Sequence, residues 1–290
     1  MTLCIAAICQ QRQQERIVVS SDWKQESGFA GSEIQEKLYW IRDDWPALVA
    51  GTLTRAVQLK DTYRTFLDRN LAQMQGLYRS EIANLLNQPL ILYKHQLADE
   101  FIGSRLGIPY DVFLANGKAW LPEPAFSDLL TAVRRISLDC QLLLPMYLDG
   151  DAYVWRVNDE NEAPLEYCDN FAAIGSGMQI AEATLCHRVQ EAETTLEKTI
   201  YHVFEAGKLA SLSGAPGVGK DHTISILYPP DGKNSLVMKS VSPKGYKLLE
   251  AKFREYGPKR VTSFAFDEKL LDVDFEVPKP STSPPLVSQT

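Results

Sequence analysis

Residues Thr2 to Asp22 read TLCIAAICQQRQQERIVVSSD, and this stretch decides the fold. Leu3 to Ile8 is a short apolar run, QQRQQER is a polar turn, and Ile17 to Ser21 is a second run rich in β-branched residues. Two short strands around a polar turn make an antiparallel start. Working outward, the glycine-containing SGFAGS separates these strands from KLYWI and WPALVAG, which read as two more. From Leu53 the period changes. TRAVQLKDTYRTFLDRNLAQM places Val57, Tyr63, Phe66, Leu67 and Leu71 at helical intervals with no Gly or Pro inside, so a helix follows.

Residues of about 78 to 130 mix helical periods with Pro89, Pro109, Pro122 and Pro124, which reads as helices joined by turns. Strand character returns in CQLLLPMYLDG and DAYVWRVND, a hairpin through the DGD turn, and FAAIG follows. MQIAEATLCHRVQEAETTLEKTIYHVFEAGKLAS reads as two helices, and ISILYPPDGK as a strand running into a turn. Strands, helices, strands, helices, strands suit a layered α+β fold with helices outside better than a parallel βαβ repeat. One domain over residues 1–276 is expected. The Pro- and Ser-rich tail Val277 to Thr290 reads as a flexible tail, disordered or extended.

Composition removes several functions. With 45% hydrophobic and 23% charged residues the chain is an ordinary globular protein, and a net charge of -7 argues against a sequence-independent nucleic-acid binder. The five cysteines, Cys4, Cys9, Cys140, Cys168 and Cys186, are odd in number and lack C-x-x-C spacing, so neither a disulfide frame nor a zinc site is indicated. His95, His187, His202 and His222 are scattered and read as surface or structural residues. No cofactor and no metal is expected. TLCIAAIC lacks a basic flank, and no run approaches the roughly 18 apolar residues of a membrane helix, so no membrane partner and a cytoplasmic location are expected.

Gly214 to Thr223, GAPGVGKDHT, comes within one residue of the glycine-rich loop that cradles nucleotide phosphates. Gly214, Gly219 and Lys220 fit, but Asp221 stands where a Ser or Thr hydroxyl ligates the metal. A phosphate loop also follows a strand and opens a helix, whereas this stretch follows a helix and opens the strand ISILY. It reads as a helix-to-strand connection.

Thr2 stands next to Met1 at the head of a buried strand. Removal of the methionine leaves one residue carrying both a hydroxyl nucleophile and an α-amine, which titrates at about 7.7 to 8.0 and can serve as the base. Asp22 ends the second strand, Lys37 opens KLYWI, and Gly51 ends WPALVAG. Each alone has an ordinary explanation: a turn Asp, a solvated Lys, and a Gly at a strand end.

Together they resemble the proteasome β-subunit family of N-terminal-nucleophile (Ntn) hydrolases, in its bacterial form without a propeptide. The resemblance lies in Thr2, in Asp22 of IVVSSDWKQESG, in Lys37 of EKLYWI, and in ALVAGTLTRAVQL leading into a helix. LLPMYLDG and FAAIGSGMQIAEATL, with Ser176 inside, continue it, so that it covers about residues 2–75 and 136–235. It implies a four-layer α-β-β-α sandwich, here enlarged by a helical insertion over about 78–130. It implies Thr2 as nucleophile, Lys37 as the cation lowering the pKa of the attacking group, and Asp22 as partner of Lys37. It also implies the Gly51 N–H as oxyanion donor and Ser176 as a support for the amine. Lys37 is expected to serve chemistry more than packing. Where the family carries a supporting Asp and Ser before the strand equivalent to ISILY, this chain has GAPGVGKDHT, with Asp221 and Ser213 as candidate replacements. The implied activity is a threonine peptidase acting on peptides or unfolded protein inside a homo-oligomeric ring, with room for a separate ATPase unfoldase. A silent ring or scaffold subunit and a small-molecule amidase remain open alternatives.

Overall fold

A computed structural model of the chain describes residues 2–22, 25–27, 30–32, 37–42, 45–70, 74, 76–158, 164–214, 218–230 and 236–258. Met1, Leu71, residues 215–217 of the glycine-rich stretch and the Val277 to Thr290 tail lie outside the described residues.

The opening stretch forms a hairpin of β1 (Leu3–Gln11) and β2 (Gln14–Asp22), paired from Cys4↔Ser21 to Gln11↔Gln14. The polar turn shrinks to Arg12 and Gln13, at φ 53° and 64°. Two consecutive left-handed residues match the right-handed twist of the flanking strands, so the ladder runs to the turn although its last side chains are polar. A separate small hairpin follows, β3 (Gln25–Ser27) and β4 (Ala30–Ser32), and then β5 (Leu38–Arg42), β6 (Trp45–Gly51) and helix α1 (Leu53–Asn70).

The proline-punctuated region folds as α2 (Arg79–Leu106), α3 (Tyr110–Trp120) and α4 (Glu123–Arg134). Pro109 and Pro122 occupy N-cap positions, and a left-handed Gly107 closes α2. Pro89 behaves differently. It sits buried inside α2, where the lost backbone bond is outweighed by Leu86, Leu90 and Tyr93 packing on either side of it.

β7 (Cys140–Leu148) and β8 (Asp151–Val157) form the expected hairpin through Asp149 and Gly150, followed by β9 (Leu165–Tyr167) and β10 (Phe171–Gly175). Helices α5 (Met178–His187) and α6 (Leu196–Leu212) lead to β11 (His222–Tyr228), β12 (Val237–Ser240) and α7 (Pro243–Tyr256). Beside the small hairpin, the described strands form two antiparallel five-stranded sheets, ordered β10-β1-β2-β11-β12 and β5-β6-β7-β8-β9.

The unbroken apolar run of β1 has a direct packing cause. Successive side chains point to opposite faces of a strand, and both faces of β1 are covered. Cys4, Ala6 and Ile8 join Ile17 and Val19 against Leu48, Ala50, Leu143 and Val154 of the other sheet. Leu3, Ile5 and Ala7 pack instead beneath Ala181 and Leu185 of α5, Val203, Ala206 and Ala210 of α6, and Leu249 of α7. The second sheet turns its outer face, with Ala47, Val49, Leu142, Leu144 and Trp155, to Leu59 and Tyr63 of α1 and to Ile82, Leu86 and Tyr93 of α2. Each fully buried Leu, Ile or Val contributes about 1.5–3 kcal/mol, so all three layers of contact, helices on the first sheet, sheet on sheet and helices on the second sheet, hold the molecule together. Among the described residues, no helix is long and apolar enough to cross a membrane.

The Tyr147 hydroxyl of β7 donates to the Leu227 carbonyl of β11 at 2.8 Å, a polar tie across the sheet interface. Tyr147→Phe is expected to lower unfolding free energy by about 1–2 kcal/mol, measured by urea denaturation, because it strands a buried carbonyl lone pair. An unchanged midpoint and slope would show the tie to be idle.

Candidate active site

Thr2, Asp22 and Lys37 come from three places in the chain and meet at one point. Thr2 precedes β1, Asp22 is the last residue of β2, and Lys37 stands immediately before β5. The Thr2 hydroxyl donates to Oδ1 of Asp22, and the Lys37 ammonium donates both to Thr2 Oγ1 and to the same Asp22 oxygen. Asp22 is 0% exposed, Thr2 3% and Lys37 9%, so the cluster is shielded from water. A hydroxyl held between a carboxylate and an ammonium has a proton acceptor on one side. On the other it has a cation that stabilises negative charge on its oxygen. Pairing is also obligatory for stability, because a buried carboxylate without a cation costs several kcal/mol. Lys37 is therefore a structural partner of Asp22 as well as a neighbour of the Thr2 hydroxyl.

Backbone pairing fixes the three positions. The Val49 N–H donates to the Lys37 carbonyl at 3.0 Å, which anchors Lys37 beside β6. The register Leu3↔Gly175 brings Thr2 against the end of β10. Gly175 has φ 90°, and a β-carbon there would lie 2.2 Å from the Thr2 carbonyl oxygen, so only glycine allows this approach. The Gly175 N–H donates to Oε1 of Gln141 in β7 at 2.7 Å, tying the two sheets next to Thr2. Ser176 follows, with its hydroxyl 3.4 Å from the Thr2 carbonyl.

Gly51 closes β6 at φ 91°, where a β-carbon would sit 2.6 Å from the Asp139 carbonyl. Strand geometry directs its N–H. The Val49 N–H faces Lys37, the Thr52 N–H bonds the Asp139 carbonyl at 2.8 Å on the opposite edge, and amides alternate along a strand. The Gly51 N–H thus lies on the Lys37 edge. All five residues singled out in the sequence stand at the adjoining ends of β1, β2, β6 and β10 and the start of β5.

Two contributors were missed. The Gly219 N–H donates to Oδ2 of Asp22 at 2.8 Å, and His222 is the register partner of Asp22 in β11. No side-chain pattern announces a backbone donor, and the strand pairing that brings it in joins residues far apart in sequence. The Ser213 hydroxyl donates to the Ala210 carbonyl at the end of α6, and Asp221 lines a cavity with Lys208, His222 and Glu250. Cys4 and Cys9 are core residues. Burial, reinforced by Asp22, pushes the Cys4 thiol far up, and burial pushes Cys9 up to about 12. Both stay protonated and unreactive.

No family model matches the chain, and no curated protein matches its sequence.

Two consequences of burial can be measured. Lys37→Ala is expected to destabilise the protein by about 3 kcal/mol or more, and pairing it with Asp22→Asn should recover part of that loss in a urea double-mutant cycle; additive effects would mean the pair is uncoupled. The second concerns acid. Burial holds His222 and His202 below the ordinary 6.5, so the native rings stay neutral while the unfolded chain takes up protons. Their contribution is fully present above pH 6.5 and is lost as pH falls through 6.5 toward the lower native values. The melting temperature should drop over that interval, and the drop should shrink in a His222→Phe, His202→Phe double variant.

Proposed function

We propose that this chain is a threonine-type Ntn hydrolase of proteasome β-subunit kind, a peptidase whose two stacked sheets and flanking helices are the α-β-β-α sandwich of that class. The observation that carries the reading is the buried Thr2–Lys37–Asp22 contact. With Met1 removed, the Thr2 α-amine accepts the hydroxyl proton as Oγ1 attacks the amide carbonyl carbon. Lys37 stabilises the negative charge that grows on Oγ1, and Asp22 holds Lys37 in place. The Gly51 N–H receives the oxyanion, a role worth about 2.7–4 kcal/mol per donor. The C–N bond then breaks, the amine returns its proton to the leaving nitrogen, and water hydrolyses the acyl-threonine ester. Ser176, beside the Thr2 carbonyl, steadies the residue that is both nucleophile and base.

Peptides or unfolded chains are the proposed substrates, a cytoplasmic homo-oligomeric ring the proposed assembly, and α2 to α4 the addition that shapes its surface. One observation favours a silent ring subunit: a backbone amide, the Gly219 N–H, meets Asp22 in the segment where the family has supporting side chains.

Thr2→Ala is expected to abolish peptide cleavage while circular dichroism stays native, and Thr2→Ser to retain it. Intact mass reads whether Met1 is gone. Cleavage by Thr2→Ala at the wild-type rate would overturn the assignment of the nucleophile, and a folded wild type that keeps Met1 and turns nothing over would favour the silent subunit.

A further inference from the structure

The glycine-rich stretch GAPGVGKDHT finds an anion after all, but one that belongs to its own chain. A carboxylate has about four lone-pair sites and a freely turning plane. Oδ1 of Asp22 meets both Lys37 and Thr2, whereas Oδ2 is held by the Gly219 N–H at 2.8 Å. Fixing Oδ2 fixes the plane, and hence the direction in which Oδ1 faces the nucleophile. Three residues on, His222 stands directly opposite Asp22 in the β2–β11 ladder. Directly opposed residues project from the same face with β-carbons about 4.5–5.5 Å apart.

The His222 ring lies over Gly207 of α6, where a β-carbon would approach Nδ1 to 3.3 Å. Neither ring nitrogen makes a well-aligned hydrogen bond to a described protein group. The ring opens on a cavity of about 240 Å³ bordered by Lys208, Lys220, Asp221, Tyr246 and Glu250. In that cavity Lys208 is paired with Glu250 at 2.6 Å, and Lys220 stands next to Asp221, so its charges nearly cancel. It supplies no strong field to draw the Asp22 carboxylate away from Lys37.

We propose that Gly219 and His222 are positioning residues for Asp22: the Gly219 amide holds Oδ2, and the His222 ring backs the carboxylate, leaving Oδ1 to Lys37 and Thr2. The inference rests on the hydrolase reading for its catalytic consequence, though the contact itself does not. Neutrality of the ring matters. Burial opposes its charging, with Lys208 adding to that effect, against Asp22, the Gly219 backbone and Asp221, which favour the charge. A positive ring beside Asp22 would compete with Lys37 for the carboxylate.

Two measurements on the full chain test this. In the first, Gly219→Pro deletes the N–H. The proline variant is expected to lose about 100-fold or more in kcat with KM changed by less than about threefold. Wild-type kcat in Gly219→Pro would overturn the proposal. The second reads His222 titration by NMR on ¹³C-histidine-labelled protein, with the signal assigned through His222→Phe. It needs neither catalysis nor a folded proline variant. Asp22→Asn should lower the His222 pKa further, because it removes a charge that favours the imidazolium; an unchanged titration would overturn the proposal. If the wild type cleaves no peptide, the hydrolase reading has failed, and the titration alone decides whether His222 backs Asp22.

Discussion

A carboxylate removed from water governs this structure. Asp22 is wholly buried, and an ionised group in that position is tolerable only when cations and hydrogen-bond donors surround it. Its partners arrive from separate parts of the chain: Thr2 ahead of β1, Lys37 ahead of β5, and the Gly219 amide from the segment before β11. Thr2, Asp22 and Gly219 travel with one sheet and Lys37 with the other. The cluster therefore exists only once the sheets have stacked, so folding and assembly of the site are one event.

The stacking has its own cause. β1 is apolar on both faces because it lies between a sheet on one side and helices on the other. Glycine then sets how closely strand ends approach. Gly175 lets β10 come against the Thr2 carbonyl, and Gly51 lets β6 turn beside Asp139, each in a left-handed conformation that a side chain would strain. Gln141 and Tyr147 add polar ties between the sheets at each end of β7. A rigid, water-poor frame of this kind is what the proposed chemistry requires, since a preorganised site avoids reorganisation as charge develops.

Much of this was legible beforehand. The apolar runs, a polar turn within QQRQQER, the DGD hairpin and the helical period after Leu53 each express local preferences that packing reinforced. Thr2, Asp22, Lys37, Gly51 and Ser176 were picked out through the resemblance to the Ntn hydrolases, since each alone has an ordinary reading. The shorter elements were not legible: β3, β4, β9 and β12 have three or four residues each, too few for a period to show. Pro89 misled for a related reason, since proline marks a boundary only where packing does not override it.

The sequence by itself determined the kinds of element, their order and the residue types able to do chemistry, because hydrophobic period, turn residues and ionisable groups act over a few neighbouring positions. Tertiary structure alone decided how deeply Asp22 is buried, that Lys37 is its buried partner, and that the Gly219 N–H and the His222 register position meet the same carboxylate. These follow from strand register between segments about two hundred residues apart. Register is settled by which faces can be buried together, a property of the packed whole that no local window contains.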